Sequence, residues 1–410
     1  MKNILVLCES LRIDTTSAGI VSSTFIKLLH DSGYNITVLT ESNFDYPVTW
    51  LPKEVRVKKF AVSKLQKSII EKIPKVRAMP TYLSGFSKSF NNVVSHYKRA
   101  IKEELLNTKF DLIYVLGAGC SFAPHFAISE LKLQIPYFVN IHDPYPMHLY
   151  PDPYKTKKTF ISSIQEKKFK KVLDKAEGIS FPSNLLMDDM CKAFPIAEKT
   201  GFVIPHIGTF LDNLPESSNE SIDLLDKSKI NIIHAGSLLG PRNPKFLFKA
   251  VEELNQENSG FANKVVITFI GTFSKDLNDV VSTSNLQNVK FLNKRFSYKE
   301  SLIMTAQADA LLVIEAIAKH SPFLPGKFAD IVFAEKPLIA LSPKYSEVRI
   351  LLSDNYEFQT ELDNIPLIKN VLLKFYNDKI NDVLNKEIII KLKSYVSIEA
   401  NTKIIKKIIG

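Results

Sequence analysis

The sequence predicts an α/β protein made of two doubly wound, Rossmann-like domains in series. Short apolar runs of strand length alternate with helical stretches along all 410 residues. The alternation breaks once, in a polar, turn-rich stretch over residues 211–229 centred on Pro215-Glu-Ser-Ser-Asn-Glu-Ser221, and it restarts at Ile230. In the second half, residues 311–314 and 338–341 are too apolar for exposed loops, and a helix opening at Pro325-Gly326-Lys327 lies between them. Proline suits a first helical position, because its missing N–H would be unpaired there anyway.

Residues 3–7 read as a buried strand, followed by a loop that ends in Ser17-Ala18-Gly19. Ile20, Phe25, Leu28 and Leu29 have helical spacing, stopped at Gly33, and residues 36–39 are the next strand. No G-x-G-x-x-G follows the first strand and no P-loop occurs, which argues against a nicotinamide dehydrogenase or an NTPase. A strand over 55–62 precedes helices over 64–73 and 88–106, with a proline-containing break between the two helices. Strands follow over 111–116, closed by Gly117-Ala-Gly119, and over 135–141, which ends in His142-Asp143-Pro144-Tyr145-Pro146. Such folds place ligand contacts where parallel strands stop, so the His142-Asp143 pair is a candidate on position alone. A helix over 167–173, a strand over 178–181, a helix from Pro182 and a strand over 202–204 complete this half.

In the second half, residues 230–236 form a strand running into a tight turn. A helix over 246–254, a strand over 265–270 ending at Gly271, a strand over 289–292 and a helix over 298–306 follow. After residue 341 come helices near 345–352 and 367–376 and a Lys/Ile-rich final helix. The expected division is a first domain over 1–210, a linker over 211–229 and a second domain over 230–390. A final helix over 391–410 is expected to pack back on the first domain.

Three scattered cysteines, Cys8, Cys120 and Cys191, give neither a disulfide framework nor metal-site spacing and suit a reducing compartment. The apolar run after Met1 is too short for a secretory signal, and no run approaches the ~20 residues of a membrane span. A cytoplasmic location is expected. The net charge of +10 fits an acidic partner or surface. The basic residues gather in 56–77 and 155–175, and Ile69, Ile70 and Ile73 interleave the first of these stretches. An amphipathic helix on an anionic membrane, at the inner face of the cell membrane, is one reading, and a solvated helix face is the other. No nucleic-acid reader motif is present.

Two segments of the second half carry a resemblance. Gly236-Ser237-Leu-Leu-Gly-Pro-Arg242-Asn-Pro-Lys245, followed by a helix through Ala250, resembles the nucleotide-sugar loop of family-4 retaining glycosyltransferases of the GT-B fold. Ser321-Pro-Phe-Leu-Pro-Gly-Lys327-Phe-Ala-Asp330, followed by Glu335-Lys-Pro-Leu-Ile-Ala340, is similar to that family's later donor motif, in a variant often tied to bacterial surface polysaccharides. The loop into Gly19 and the loop over 141–145 fit the family's first domain.

The resemblance implies two domains facing each other across a cleft. It implies transfer of a sugar, with retention, from a UDP- or GDP-linked donor to a glycan or lipid-linked acceptor hydroxyl, without a metal. It assigns catalysis to Arg242, Lys327 and His142. Donor contacts fall to Gly19, Gly236, Ser237, Gly271, His320, Ser321, Gly326, Phe328 and Asp330, and the acceptor side to Asp143 and Tyr145. The chemistry fits these residue types. A nucleotide diphosphate gathers negative charge as it leaves, and fixed cations and helix N-termini lower that barrier. Arg242 offers a planar fork and Lys327 a point charge. Gly236 admits close backbone approach to the pyrophosphate.

Three departures stand out. Asp330 replaces a family Glu that meets ribose, Pro322 replaces a second Glu that meets the donor sugar, and Arg242 is only the nearest candidate for the family's loop arginine. Two alternatives therefore stay open. One is a catalytically silent GT-B protein that binds nucleotide sugar or a partner enzyme. The other is an inverting enzyme with His142 or Asp143 as general base.

Overall fold

A computed structural model describes residues 1–43, 45–63, 74–119, 121–209, 224–238, 240–277, 280 and 286–410. The chain divides into two compact units. The first is Met1–Tyr150 with Tyr154–Asn213 and Asn401–Gly410, and the second is Pro151–Pro153 with Leu214–Ala400.

The first unit is a seven-stranded parallel sheet in the order β3-β2-β1-β4-β5-β6-β7. Its strands are β1 (Asn3–Cys8), β2 (Asn35–Glu41), β3 (Arg56–Phe60), β4 (Leu112–Val115), β5 (Tyr137–Asn140), β6 (Gly178–Phe181) and β7 (Gly201–Val203). Residues Ile4 to Cys8 are fully buried, as a strand covered on both faces must be. The helices are α1 (Ser17–Asp31), α2 (Pro74–Ser84), α3 (Lys88–Asn107), α4 (Ala123–Glu130), α5 (Phe160–Asp174), α6 (Asn184–Ala193) and α7 (Ile196–Thr200). The strand order reverses between β1 and β4, where open α/β sheets leave a crevice at their C-terminal ends.

The second unit has β8 (Ile230–Ala235), β9 (Val265–Ile270), β10 (Val289–Leu292), β11 (Ala310–Ile314), β12 (His320–Ser321), β13 (Leu338–Leu341), β14 (Tyr345–Ser346) and β15 (Gln359–Thr360). Six of these strands form a parallel sheet in the order β10-β9-β8-β11-β13-β15, and β12 pairs with β14 in a separate ribbon. Here the order reverses between β8 and β11. The helices are α8 (Lys245–Glu257), α9 (Ser259–Lys264), α10 (Tyr298–Gln307), α11 (Lys327–Phe333), α12 (Glu347–Leu352), α13 (Ile365–Ile380), α14 (Glu387–Tyr395) and α15 (Ile398–Ile409). Helix α15 lies mostly in the first unit, where the Lys2 ammonium donates to the Ile409 carbonyl at 2.5 Å and Ser32 Oγ donates to Thr402 Oγ1 at 3.0 Å.

Two local expectations need correction. The break expected before residue 88 is mostly helix. Helix α2 runs through Pro80, and the chain turns at Gly85, whose φ of 82° favours glycine. Helix α4 was not expected at all. Seven of its eight residues are buried, so it shows no polar face and no amphipathic stripe to detect. The helix expected over 64–73, with Ile69, Ile70 and Ile73, lies outside the described residues, as do Cys120 and residues 211–223 of the expected linker.

Candidate active site

The ends of β8 and β11 flank the reversal point of the second sheet, and most of the candidate residues gather around them. His234, near the end of β8, is 2% exposed. Its Nδ1 lies 3.0 Å from the Leu312 carbonyl, to which it donates, so Nε2 is left as an acceptor. The Lys327 ammonium sits 3.3 Å from that Nε2. Burial, and then the charges of Lys327 and Arg242, hold the His234 imidazole well below its ordinary pKa, so the ring is neutral. Lys327 in turn is pulled down to about 7, first by burial and then by Arg242. Folding has thus placed the Arg242 charge close enough to disfavour the charge on Lys327, an arrangement that an incoming dianion relieves.

Backbone geometry leaves room beside Lys327. Gly236 has a φ of 137°, and a Cβ there would stand 3.2 Å from Lys327 Nζ. Gly271 has a φ of 134°, and its Cβ would lie 2.7 Å from the Gly236 backbone. The turns after β8 and β9 therefore pack main chain to main chain, tied by Gly236 N–H to the Ile270 carbonyl at 2.7 Å. The hydroxyls of Ser237 and Thr272 join them at 2.8 Å. Lys327 opens α11, which is held in place by the buried Phe328, Ala329, Ile331 and Val332. One turn on, Asp330 Oδ1 accepts from Tyr298 Oη at 2.8 Å. Burial raises this carboxyl to about 7 against the hydrogen bond that lowers it. At the end of β11 stands Glu315, 4% exposed, whose Oε1 accepts from Ser321 Oγ at 2.6 Å. Burial raises it to about 7, while Ser321 and Arg242 oppose the rise.

The structure thus brings Gly236, Ser237, Gly271 and Lys327 together, with the Arg242 charge acting on Lys327 and Asp330 one turn along. Phe328 is a correction. Its side chain is fully buried in the core and its N–H donates to the Pro325 carbonyl, so it has no group to offer a donor. Ser321 spends its hydroxyl on Glu315. The His320 ring lies 5.3 Å from that of Tyr345 on the β12–β14 ribbon. Gly326 has ordinary helical φ and ψ, and its conformation does not require glycine.

In the first unit, His142 follows β5 and lines a pocket with Ser22, Phe25, Gly117, Asn140 and His206. The rings of His142 and His206 are 4.9 Å apart. Burial lowers the pKa of His142, and Asp143 opposes that. A Cβ at Gly117 would meet both the Asn140 carbonyl and the His142 Cβ at 3.0 Å, so glycine lets the ends of β4 and β5 close together.

Two expectations for this unit are corrected. Tyr145 is 7% exposed and sits among Phe122, Phe126 and Phe169, so it belongs to the core. The Gly19 N–H is already used by Thr16 Oγ1 at 3.0 Å, as the N-cap of α1. A side chain at Gly19 would strike the Arg12 carbonyl, with Cβ at 2.3 Å, so this glycine serves loop packing.

Sequence reading passed over His234, Glu315 and His206, although the strand-end logic that found His142 applies to the last two. Tyr298 opens a helix and gives no such signal. Glu9, after β1, was also missed. It accepts from Ser121 and from the Ala123 N–H at the start of α4, and burial raises it to about 7. Among the described residues no group of three or more His, Cys, Asp or Glu is placed to hold a metal.

Comparison with known proteins adds the following. Residues 19–207 match the family model described as Glycosyltransferase Family 4. No curated protein sequence matches the chain. Among solved structures, the chain is similar to a sucrose-phosphate synthase from Thermosynechococcus elongatus, at 11% identity and TM-score 0.69, over 100% of this chain and 98% of that one. It is also similar to Anabaena HepE in complex with UDP and glucose, at 14% identity and TM-score 0.65, over 100% and 99%. A third is the UDP-forming α,α-trehalose-phosphate synthase of Burkholderia xenovorans in complex with glucose-6-phosphate, at 10% identity and TM-score 0.66, over 100% of both chains.

Proposed function

We propose that this chain, a GT-B protein whose residues 19–207 carry a glycosyltransferase family 4 domain, moves a sugar from a nucleotide-diphosphate donor to an acceptor hydroxyl. The observation that supports this most is Lys327 held between neutral His234 and the open side of Gly236, with the Arg242 charge acting on it. A diphosphate there relieves the repulsion between the two cations. As the sugar–phosphate bond breaks, the same cations meet the growing charge on the leaving oxygen. Asp330, held by Tyr298, is suited to accept ribose hydroxyls. The histidine pocket of the first unit offers His142 and His206 to a hydroxyl-bearing acceptor. Retention, and a role in polysaccharide or glycan assembly, are the finer parts of this reading and rest on the resemblance of the motifs. UDP is the leading donor base, since two similar structures are named for UDP.

The deciding assay offers purified protein UDP- and GDP-sugars with and without polysaccharide-type acceptors. Released diphosphate is followed, and the product anomer is read by NMR. Release of UDP or GDP with an α-linked product from an α-donor is expected. Binding without release points instead to the silent protein that Pro322 favours. Because the leaving charge is assigned to Arg242 and Lys327, the rate is expected to persist in excess EDTA. A rate abolished by EDTA and restored by magnesium or manganese refutes that assignment.

A lipid-linked acceptor at the inner face of the cell membrane is a further part of the proposal. Met79, Tyr82 and Leu83 on α2 and Phe160 at the start of α5 are 57%, 59%, 72% and 71% exposed. The two helices adjoin where Gln165 Nε2 donates to the Gly85 carbonyl at 2.8 Å. Lys155, Lys157 and Lys158 are exposed beside Phe160. No helix among the described residues is long and apolar enough to cross a membrane, so this is surface attachment. Sedimentation with anionic vesicles is expected at 0.1 M salt. It should weaken at 0.5 M, where added salt screens the lysines more strongly, and on Leu83→Ser with Phe160→Ser, which removes the apolar surface that would enter the interface. Equal binding to neutral vesicles, or none to anionic ones, removes the idea.

A further inference from the structure

We infer that Glu315 is a donor-sugar specificity residue, its Oε2 accepting a hydroxyl of the sugar whose diphosphate rests on Arg242 and Lys327. The inference rests on the donor-site reading above and assigns it a residue outside the motifs that led there.

Glu315 follows β11, on the opposite side of the sheet's reversal point from Gly236. Its backbone is fixed, since its N–H donates to the Leu341 carbonyl at 2.9 Å. Its carboxylate is fixed as well, because Ser321 Oγ donates to Oε1 at 2.6 Å and Ser321 is itself paired with Ser346 in the β12–β14 ribbon. The other oxygen, Oε2, is buried without any hydrogen-bond partner. Folded proteins rarely leave a buried polar oxygen in that state, and a bound ligand is one of the usual reasons for it.

The chemistry narrows what fills the gap. An ionised carboxylate only accepts hydrogen bonds, so its complement is a hydroxyl or amide N–H. A phosphate at this oxygen is repelled, while Arg242, whose charge acts on both Glu315 and Lys327, calls with Lys327 for an anion. One ligand presenting both features side by side is a sugar diphosphate ester, with the polyol toward Glu315 and the pyrophosphate toward the cations. Pro322, at the position where the resemblance expects a sugar-contacting Glu, is buried and has no side-chain acceptor. Glu315 supplies the missing carboxylate from the strand end instead. Burial raises its carboxyl to about 7 against the Arg242 charge, so it is an ionised acceptor above that pH, where the titrations below are run.

The test titrates full-length protein with UDP and UDP-glucose, with GDP and GDP-mannose, and with deoxy analogues of whichever sugar nucleotide binds. Glu315→Gln keeps the shape and the Ser321 bond. It is expected to bind the diphosphate within about twofold of wild type and the sugar nucleotide about tenfold more weakly, since bonds to charged acceptors are the stronger ones. One deoxy analogue should bind wild type and Glu315→Gln equally, because hydroxyl and acceptor are then removed together. Glu315→Asp keeps the charge beside Arg242 but withdraws the oxygen, so it should show the same selective loss. It also carries the comparison if the Gln variant does not fold. Equal loss of diphosphate and sugar nucleotide means that Glu315 only positions Arg242, and no loss means that it has no role. Either overturns the inference. If wild type binds neither diphosphate, or Arg242→Ala binds it as well as wild type does, the donor-site reading has failed first and takes the inference with it.

Discussion

Replacing Arg242 or Lys327 with alanine is expected to cut sugar transfer by about 10²–10³, the usual loss when one preorganised group facing a developing anion is removed. The effect should fall more heavily on turnover than on donor affinity, because charge on the diphosphate is greatest in the transition state. Arg242→Lys should recover only part of the activity, since an ammonium lacks the bidentate fork. Apo stability should follow a different pattern. Arg242 lies on a loop, where substitutions usually stay within about 0.5 kcal/mol. Lys327 is a cation whose ionised form folding disfavours, so Lys327→Ala should leave the apo melting midpoint unchanged or raised. Transfer rates and apo melting curves for the three variants make the check. Wild-type rates in both alanine variants would move the donor site elsewhere. A collapse of both melting curves would make these residues structural.

Binding of inorganic sulfate, a dianion throughout this range, should weaken as pH rises above about 7. The sign follows from Lys327. Its folded pKa is lowered to about 7, whereas a bound dianion favours the ammonium and raises it. Below pH 7 the lysine is charged before and after binding, so affinity is flat with respect to this group. Above pH 7 a proton must be taken up, and the dissociation constant should rise about tenfold per pH unit until the pKa of the complex is reached. Sulfate, which neither titrates in this range nor carries a ribose, is the better probe here. A nucleotide would also engage Asp330, whose own carboxyl is raised to about 7 and becomes a stronger acceptor over the same range. Lys327→Arg, charged throughout, should give a flat profile from pH 7 to 9. Calorimetry in buffers of different ionisation enthalpy counts the proton directly. A flat wild-type profile would show that the lysine is already fully charged in the free protein.

The fold class, the two-unit organisation and most strands were legible in the sequence because continuous apolar runs can only be buried. Glycines at strand ends were legible too, and Gly236 and Gly271 have the backbone angles that glycine tolerates best. Side-chain partnership was not legible. Phe328 sits inside a donor motif and Tyr145 beside a strand-end histidine, yet packing commits both to cores, since helical and loop residues face whichever surface the neighbouring elements leave. The resemblance assigns Gly19 to the donor, but the N-cap of α1 takes its N–H. His234, Glu315 and Tyr298 matter through neighbours that are distant in the chain. His234 meets Lys327 93 residues away, and Tyr298 meets Asp330 32 residues away. The sequence by itself determined which cations and turns exist. Only the tertiary structure decided that Lys327 lies against a neutral histidine, and that Glu315 is buried with one oxygen unspent, because burial and proximity set the charge and reach of a side chain and neither is written locally.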